Sequence, residues 1–144
     1  MAANRTYLVG LVSLCVWAAC RGGVKAEDKK VEPVSSSWGI LTEKKLTEMA
    51  PKKGYITSNA AWKKLWKAWR PDEKLPEVDF TMHLVLVDLG GMYPVGYELR
   101  LTGQGDLKIK LSPRVPPERG NGYGMAVIDR SAVKTIRGEA IEPD

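Results

Sequence analysis

The clearest hydrophobic pattern in the chain is a stripe of large apolar residues between positions 58 and 71. The stripe consists of Trp62, Leu65, Trp66 and Trp69. Spacings of three and four residues place these side chains on one face of an α-helix, over about 100° of its circumference. Thr57 or Ser58 can cap the start of this helix, and Pro71 ends it. The pattern therefore predicts a helix whose apolar face packs on a core.

The polar side of the predicted helix carries Lys63, Lys64, Lys67 and Arg70. Cations opposite an apolar stripe are typical of a helix that packs on a core and faces water on its other side. A membrane-surface helix and a stacking platform for sugars use the same residue types. The helix is short for a membrane surface, and Asp72 and Glu73 follow it directly, so buried tryptophans are favoured.

Strand-like patterns follow the tryptophan helix. Residues 78–89 are almost continuously apolar from Leu84 to Val87, as in a central strand that is covered on both faces. Further strands are predicted at residues 97–102, 107–111, 123–129 and 132–138. A short helix over residues 43–50 precedes the tryptophan helix. This order predicts an α+β domain, with N-terminal helices packed on an antiparallel β-meander of about four to five strands.

Residues 1–26 have the pattern of a secretory signal peptide. Arg5 precedes an uncharged, mostly apolar stretch at residues 6–20, which is shorter than the roughly 20 residues that span a bilayer. Small residues favour cleavage after Ala26. In the alternative, the sequence WAAC is a lipoprotein box whose cysteine, Cys20, is acylated. The sequence thus predicts an exported protein, periplasmic or secreted, or else a lipoprotein anchored at Cys20.

Removal of the leader changes the cysteine content and the net charge of the chain. Charged, proline and serine residues dominate positions 27–37 and predict a flexible tether, followed by a single domain over residues 38–142. Both cysteines, Cys15 and Cys20, lie in the leader, so a chain that starts at Glu27 has no disulfide. This chain has 19 cations and 17 acids, which lowers the net charge from +5 to +2. Such a charge does not favour a nucleic-acid partner.

Residue types that carry catalytic or metal-binding chemistry are few. His83 is the single histidine and lies in a strand-like pattern, where a structural role is favoured. No nucleophile motif accompanies it, and a protein-ligated zinc site needs about three ligands. The carboxylates that could meet across strands are Asp79, Asp88, Glu98 and Asp106. Aspartate at strand ends is, however, common in turns. We therefore predict no enzyme activity, no metal site and no cofactor.

Two loops rich in glycine and proline are the best candidates for partner binding. One spans residues 90–97 and the other spans residues 114–123. Loops carried by a rigid sheet are where binding usually occurs. The predicted partner-contact residues are Met92, Tyr93, Pro94, Tyr97, Arg114 and Arg119. If both loops lie at the same end of the sheet, they form one partner surface.

The order of several short motifs resembles a known family. The motifs are Trp62, the pair Leu65–Trp66, the sequence VDF at residues 78–80, and the pair Gly96–Tyr97 at the end of a Gly/Pro loop. This arrangement covers about residues 55–136 and resembles the C-terminal domain of the protease-complex stabilising protein PrcB. That domain is similar to a small exported module of bacterial envelope proteins. The resemblance implies a non-catalytic accessory role, in which the protein assembles with or stabilises an exported peptidase.

These observations together predict an exported, non-catalytic protein-binding module. Its expected partner is a protein and not a nucleic acid, and membrane contact is expected only through the leader or a lipid anchor. Two alternatives stay open. One is a peptidase inhibitor whose Gly/Pro loop enters an active-site cleft. The other is a glycan- or ligand-binding envelope protein, which predicts solvent-exposed tryptophans.

Overall fold

The computed structural model describes residues 27–90, 96–112 and 120–144, which form a mixed α+β domain. Within these residues the chain has nine strands and two short helices. In chain order they are β1 (Lys29–Val31), β2 (Ser35–Leu41), α1 (Lys44–Thr47), β3 (Tyr55–Ile56), α2 (Asn59–Trp69), β4 (His83–Gly90), β5 (Gly96–Leu101), β6 (Asp106–Ser112), β7 (Asn121–Asp129), β8 (Thr135–Ile136) and β9 (Glu139–Ala140).

The strands divide between two stacked sheets. The central sheet has the order β2-β7-β4-β3, and the outer sheet has the order β1-β5-β6-β8-β9. Alternation along β4 shows how the layers stack, because successive side chains of a strand point to opposite faces. Val85 and Val87 pack with the α2 tryptophans, whereas Leu84 and Leu86 pack with residues of the outer sheet. The central sheet therefore lies between the helices and the outer sheet, which explains the continuous apolar run of β4.

Helix α2 confirms the predicted core-facing stripe. The hydroxyl of Ser58 accepts a hydrogen bond of 3.3 Å from the backbone N–H of Ala61, so Ser58 is the N-cap. Trp62, Trp66 and Trp69 are all buried. Each indole N–H also has a backbone carbonyl acceptor, at distances of 3.1, 3.3 and 2.9 Å respectively. A buried indole with a satisfied N–H contributes its full apolar area to the core.

The N-terminal part of the domain differs from the prediction. Residues 27–37 were expected to form a tether, yet β1 pairs with β5, and β2 pairs with β7 from Ser35 to Leu41. Strands β1 and β2 therefore precede both helices, and the predicted order, in which the helices come before all strands, is wrong. Both strands lie at sheet edges. Because an edge strand leaves much of its side-chain surface in water, a serine-rich composition suits it as well as it suits a linker.

The C-terminal part also departs from a simple meander. Strand β8 pairs in parallel with β6, at Asp106↔Thr135 and Leu107↔Ile136.

The helix predicted over residues 43–50 is shorter in the structure, where α1 spans only Lys44–Thr47. No helix of the described ranges is long and apolar enough to cross a membrane. The predicted leader and the acylation site at Cys20 lie outside the described residues.

Residues 142–144 are held against the start of α2. The backbone N–H of Glu142 donates to the hydroxyl of Tyr55 at 2.9 Å. One carboxylate oxygen of Asp144 accepts hydrogen bonds from the backbone N–H groups of Thr57 and Ser58, at 2.7 and 2.8 Å. These donors precede the helix, where a negative charge is favoured by the helix dipole. The tail thus adds a second capping group to α2.

Candidate functional site

The two loop segments predicted to bind a partner leave the sheets at neighbouring positions. Gly90, the last residue of β4, pairs with Gly122 of β7. Gly96, the first residue of β5, pairs with Ser112, the last residue of β6. Segment 91–95 therefore connects the same two pairs of strand ends as segment 113–119. We call this end of the two sheets the loop end.

Most of the predicted contact residues lie outside the described part of the chain. These are Met92, Tyr93, Pro94, Arg114 and Arg119. Tyr97 is described and lies at the start of β5. Its ring packs against the hydrophobic cluster between the two sheets, and its hydroxyl oxygen is shielded from water. The side chain of Tyr97 thus lies mainly between the two sheets and not on the surface of the loop end.

Exposed apolar side chains concentrate at the loop end, and sequence reasoning missed them. Trp38, Ile40 and Leu89 are 44, 42 and 39 % exposed. They occupy the three adjacent rows Trp38–Gly124–Asp88, Gly39–Tyr123–Leu89 and Ile40–Gly122–Gly90. Because side chains alternate along a strand, Trp38 and Ile40 lie on the face that carries Leu84 and Leu86, and Leu89 lies on the helix-covered face. Among the described residues, only Val34 and Met82 are further exposed large apolar side chains, and both lie at the opposite end of the central sheet. Grouped exposed apolar residues mark interaction sites more often than scattered ones.

The glycines of β7 explain why Trp38 and Ile40 stay exposed. Trp38 faces Gly124 across the strand pair, and Ile40 faces Gly122. Directly opposed residues in an antiparallel pair normally cover part of each other's surface, and glycine has no side chain to do so. The predicted loop over residues 114–123 is therefore too long at its end, because β7 already begins at Asn121.

Arg70 holds the edge strand at the loop end, although the sequence placed it on the water-facing side of α2. The side chain is only 16 % exposed. Its Nε donates to the hydroxyl of Tyr123 at 2.8 Å, and Nη1 donates to Glu73 at 2.6 Å. Nη2 donates to the backbone carbonyl of Trp38. The guanidinium also lies 5.2 Å from the ring centre of Trp66, within cation–π range. Arg70 therefore joins α2, β7 and β2 at one point.

Two polar atoms lie buried near the same end. Neither Asp88 Oδ2 nor the hydroxyl of Tyr97 has a hydrogen-bond partner among the described residues. Burial raises the pKa of the Asp88 carboxyl, and the charge of Arg137 offsets part of this effect. Burial also raises the pKa of the Tyr97 hydroxyl, and the nearby charge of Asp88 raises it further. Buried polar atoms without a hydrogen-bond partner are rare in folded proteins.

The other carboxylates do not come together. Asp79 binds the hydroxyl and N–H of Thr81, whereas Glu98 pairs with Lys110 and Arg100 on the outer face. These contacts hold the pKa of each carboxyl below its usual value. The described part of the chain has no group of three residues arranged to hold a metal ion.

His83 has a local contact at the start of β4. Its Nδ1 lies 3.2 Å from the backbone carbonyl oxygen of Asp79, four residues earlier. Asp129 is its directly opposed residue on β7, and the carboxylate of Asp129 accepts a hydrogen bond from the N–H of Ser131. This arrangement fits the structural role that the sequence favoured for the histidine.

Comparison with known proteins gives no match of any kind. No protein-family model matches the chain. No curated protein matches it in sequence, and no solved structure matches it in fold. The geometry of the loop end is therefore the main basis for a functional assignment.

Proposed function

We propose that the protein is an exported, non-catalytic module that binds another protein through its loop end. The observation that carries this proposal is the exposure of Trp38 and Ile40 on one face of the central sheet, and of Leu89 on the other face of the same rows, beside the origins of segments 91–95 and 113–119. Protein interfaces commonly have an apolar centre that includes aromatic side chains, surrounded by a polar rim. At the loop end, Trp38 and Ile40 offer such a centre on a strand pair that Arg70 holds in place.

An exported peptidase is the proposed partner. Support for this class of partner comes from the resemblance of residues 55–136 to the C-terminal domain of PrcB, and it is separate from the geometric support for protein binding. In this role the module stabilises or assembles with the peptidase and carries no catalytic residue of its own. Inhibition of the peptidase is the alternative, in which a loop enters the active-site cleft.

Glycan binding has less support than protein binding. It predicted solvent-exposed tryptophans, and Trp62, Trp66 and Trp69 of α2 are buried, whereas Trp38 at the loop end is exposed. Aliphatic side chains such as Ile40 and Leu89 offer sugars neither hydrogen bonds nor a flat aromatic face. They suit the apolar centre of a protein interface.

The test is affinity capture after mild crosslinking in cells that make the protein, with the tag placed beyond Asp144 on a flexible linker. The loop-end variant carries Ile40→Ser and Leu89→Ser. The matched control carries Val34→Ser and Met82→Ser, which remove two exposed apolar side chains at the opposite end of the same sheet. All four positions are exposed, so both variants are expected to fold.

Support would be one exported peptidase that the wild type and the control capture and the loop-end variant does not. Equal capture by both variants would refute the proposed surface. A second assay with the purified peptidase separates the two roles. Unchanged or longer-lived peptidase activity in the complex indicates an accessory protein, whereas loss of activity on binding indicates an inhibitor.

A further inference from the structure

Charge is unevenly distributed along the chain. Residues 43–74 contain nine cations and four acids, a net charge of +5. Residues 27–42 and 75–144 together contain ten cations and 13 acids, a net charge of −3. The first stretch includes both helices, which cover one face of the central sheet. The domain therefore has a positive helical side.

Six lysines on the helical side have no ion-pair partner among the described residues. We call Lys44, Lys45, Lys52, Lys63, Lys64 and Lys67 the lysine face. All six are exposed, and none forms an ion pair with another described residue. Helix α2 itself contains no acid, and Lys63 and Lys67 are one turn apart. Like charges at this spacing destabilise a helix slightly, so the fold alone does not explain them.

The outer sheet shows the opposite arrangement. Three of its four exposed lysines have a carboxylate nearby: Lys30 pairs with Glu32 at 2.5 Å, Lys108 with Asp28 at 2.9 Å, and Lys110 with Glu98 at 3.2 Å. The fourth, Lys29, forms no ion pair with a described residue. The outer sheet therefore pairs most of its exposed lysines with acids, whereas the six lysines of the lysine face form no ion pair with a described residue. This contrast within one domain is the central observation.

The geometry of α2 directs the lysine face outward. The tryptophan stripe packs on the central sheet, so Lys63, Lys64 and Lys67 project away from it, and no exposed large apolar side chain lies among them. Helix α1 lies beside α2, since the backbone carbonyl of Leu46 in α1 accepts a hydrogen bond of 2.9 Å from the indole N–H of Trp69. The acids of this stretch are Glu43, Glu48, Asp72 and Glu73. Of these, Glu73 is bound to Arg70.

We propose that the lysine face docks the domain on an anionic phospholipid surface. Lysine is a compact, hydrated charge without the fork geometry of arginine, which suits a fluid surface of many headgroups better than one defined site. Each lysine near such a surface contributes to binding, and clusters of four to eight are sufficient. The contact is electrostatic and adds to any leader or lipid anchor, because the apolar face of α2 is already buried.

Other anionic partners fit the lysine face less well. Lysine is depleted at protein–protein interfaces, which argues against an acidic protein as the occupant. Single-stranded nucleic acids are held by aromatic stacking as well as charge, and the tryptophans of α2 are buried. Duplex binding is usually supported by arginines and a strongly basic domain, whereas the lysine face has no arginine.

The experiment is co-sedimentation of the full chain with vesicles of phosphatidylcholine, alone or with about 30 % phosphatidylglycerol, at salt concentrations from about 50 to 500 mM. One variant carries Lys63→Gln, Lys64→Gln and Lys67→Gln. The matched control carries Lys30→Gln, Lys108→Gln and Lys110→Gln, which changes the net charge equally. Binding to neutral vesicles measures the contribution of the apolar N-terminal segment, which the wild type and both variants share. Circular dichroism checks that each variant keeps its helix content.

We expect the wild type to prefer anionic vesicles at low salt and to lose that preference as salt rises. Neutralising three lysines on α2 is expected to weaken the preference by about tenfold or more, with a much smaller effect in the control. An equal loss in both variants, or no preference for anionic vesicles, would overturn the proposal. So would binding to duplex DNA that depends on Lys63, Lys64 and Lys67 when vesicles are not preferred.

Discussion

Arg70 Nε donates a hydrogen bond of 2.8 Å to the hydroxyl of Tyr123, and this contact fixes the end of α2 to the middle of the central sheet. The same guanidinium donates to the carbonyl of Trp38 on the edge strand β2. A charged group with three acceptors in a shielded position is one of the stronger polar interactions in a small domain. The helix core and the exposed loop end are therefore coupled through one side chain.

Replacing Arg70 is expected to destabilise the domain more than replacing any lysine of α2. Hydrogen bonds to a charged group contribute about 1.5–3 kcal/mol, so we expect Arg70→Ala to lower the free energy of unfolding by about 2 kcal/mol. Tyr123→Phe removes one neutral acceptor and is expected to cost about 1 kcal/mol. Lys67→Ala is the control and should stay within about 0.5 kcal/mol. Urea unfolding measures all three, and an Arg70→Ala effect as small as the control would refute this role.

Gly39 is expected to tolerate no side chain. A Cβ atom at this position would lie 2.6 Å from the hydroxyl oxygen of Tyr123 and 2.7 Å from its Cε1, well inside contact distance. Gly39→Ala therefore has to displace the tyrosine ring that Arg70 binds, and we expect a loss of about 1–3 kcal/mol in the free energy of unfolding. Thermal unfolding measures the effect. Ser36→Ala, at an exposed position of the same strand, is the control, and an equal melting temperature for the two variants would show that the ring moves freely.

Local periodicity accounts for the parts of the fold that the sequence predicted. The spacing of Trp62, Leu65, Trp66 and Trp69 led to α2, its N-cap and its buried face. The continuous apolar run of residues 84–87 led to β4 as a central strand. In both cases the signal lies within about ten neighbouring residues. Strand pairing between distant segments has no such signal, so the division into two sheets and the parallel β6–β8 pair were missed.

The candidate site was predictable only in part, for similar reasons. Glycine and proline residues indicated the two loops. The sequence predicted that these loops form one surface if both lie at the same end of the sheet. The exposed side chains beside them depend on register: Trp38 and Ile40 are exposed on an edge strand whose first residues, 35–37, were predicted to belong to the tether. Arg70 falls in a run of lysines, and only its position before Pro71 at the helix end set it apart.

Asp144 is expected to stabilise the start of α2. Its carboxylate accepts from the N–H groups of Thr57 and Ser58, and capping contacts of this kind contribute about 1 kcal/mol. Asp144→Ala should therefore lower the free energy of unfolding by about that amount, and Asp144→Asn by less. Glu142→Ala is the control, because the Glu142 carboxylate makes only an exposed contact of 4.0 Å with Lys53. Equal urea midpoints for Asp144→Ala and the control would show that the tail does not act as a cap.

Asp88 and Asp106 are expected to change stability in opposite directions with pH. Burial raises the folded-state pKa of Asp88, so the folded protein holds its proton more tightly and stability falls as pH rises above about 4 towards that pKa. Asp106 has a lowered pKa because the Thr135 hydroxyl and the Gly138 N–H donate to it at 2.6 and 2.8 Å. Its contribution is present above about pH 4 and is lost as pH falls through the lower folded-state pKa.

The measurement is urea unfolding of the wild type, Asp88→Asn and Asp106→Ala between about pH 3 and pH 8. Asp88→Asn should gain stability relative to the wild type as pH rises, because the amide stays neutral at the buried position. Asp106→Ala should lose stability relative to the wild type as pH rises, since it lacks a carboxylate that the folded state favours. Parallel pH profiles for the two variants would contradict the assignment. A profile of Asp88→Asn that matches the wild type would show that the Asp88 carboxylate is fully hydrated.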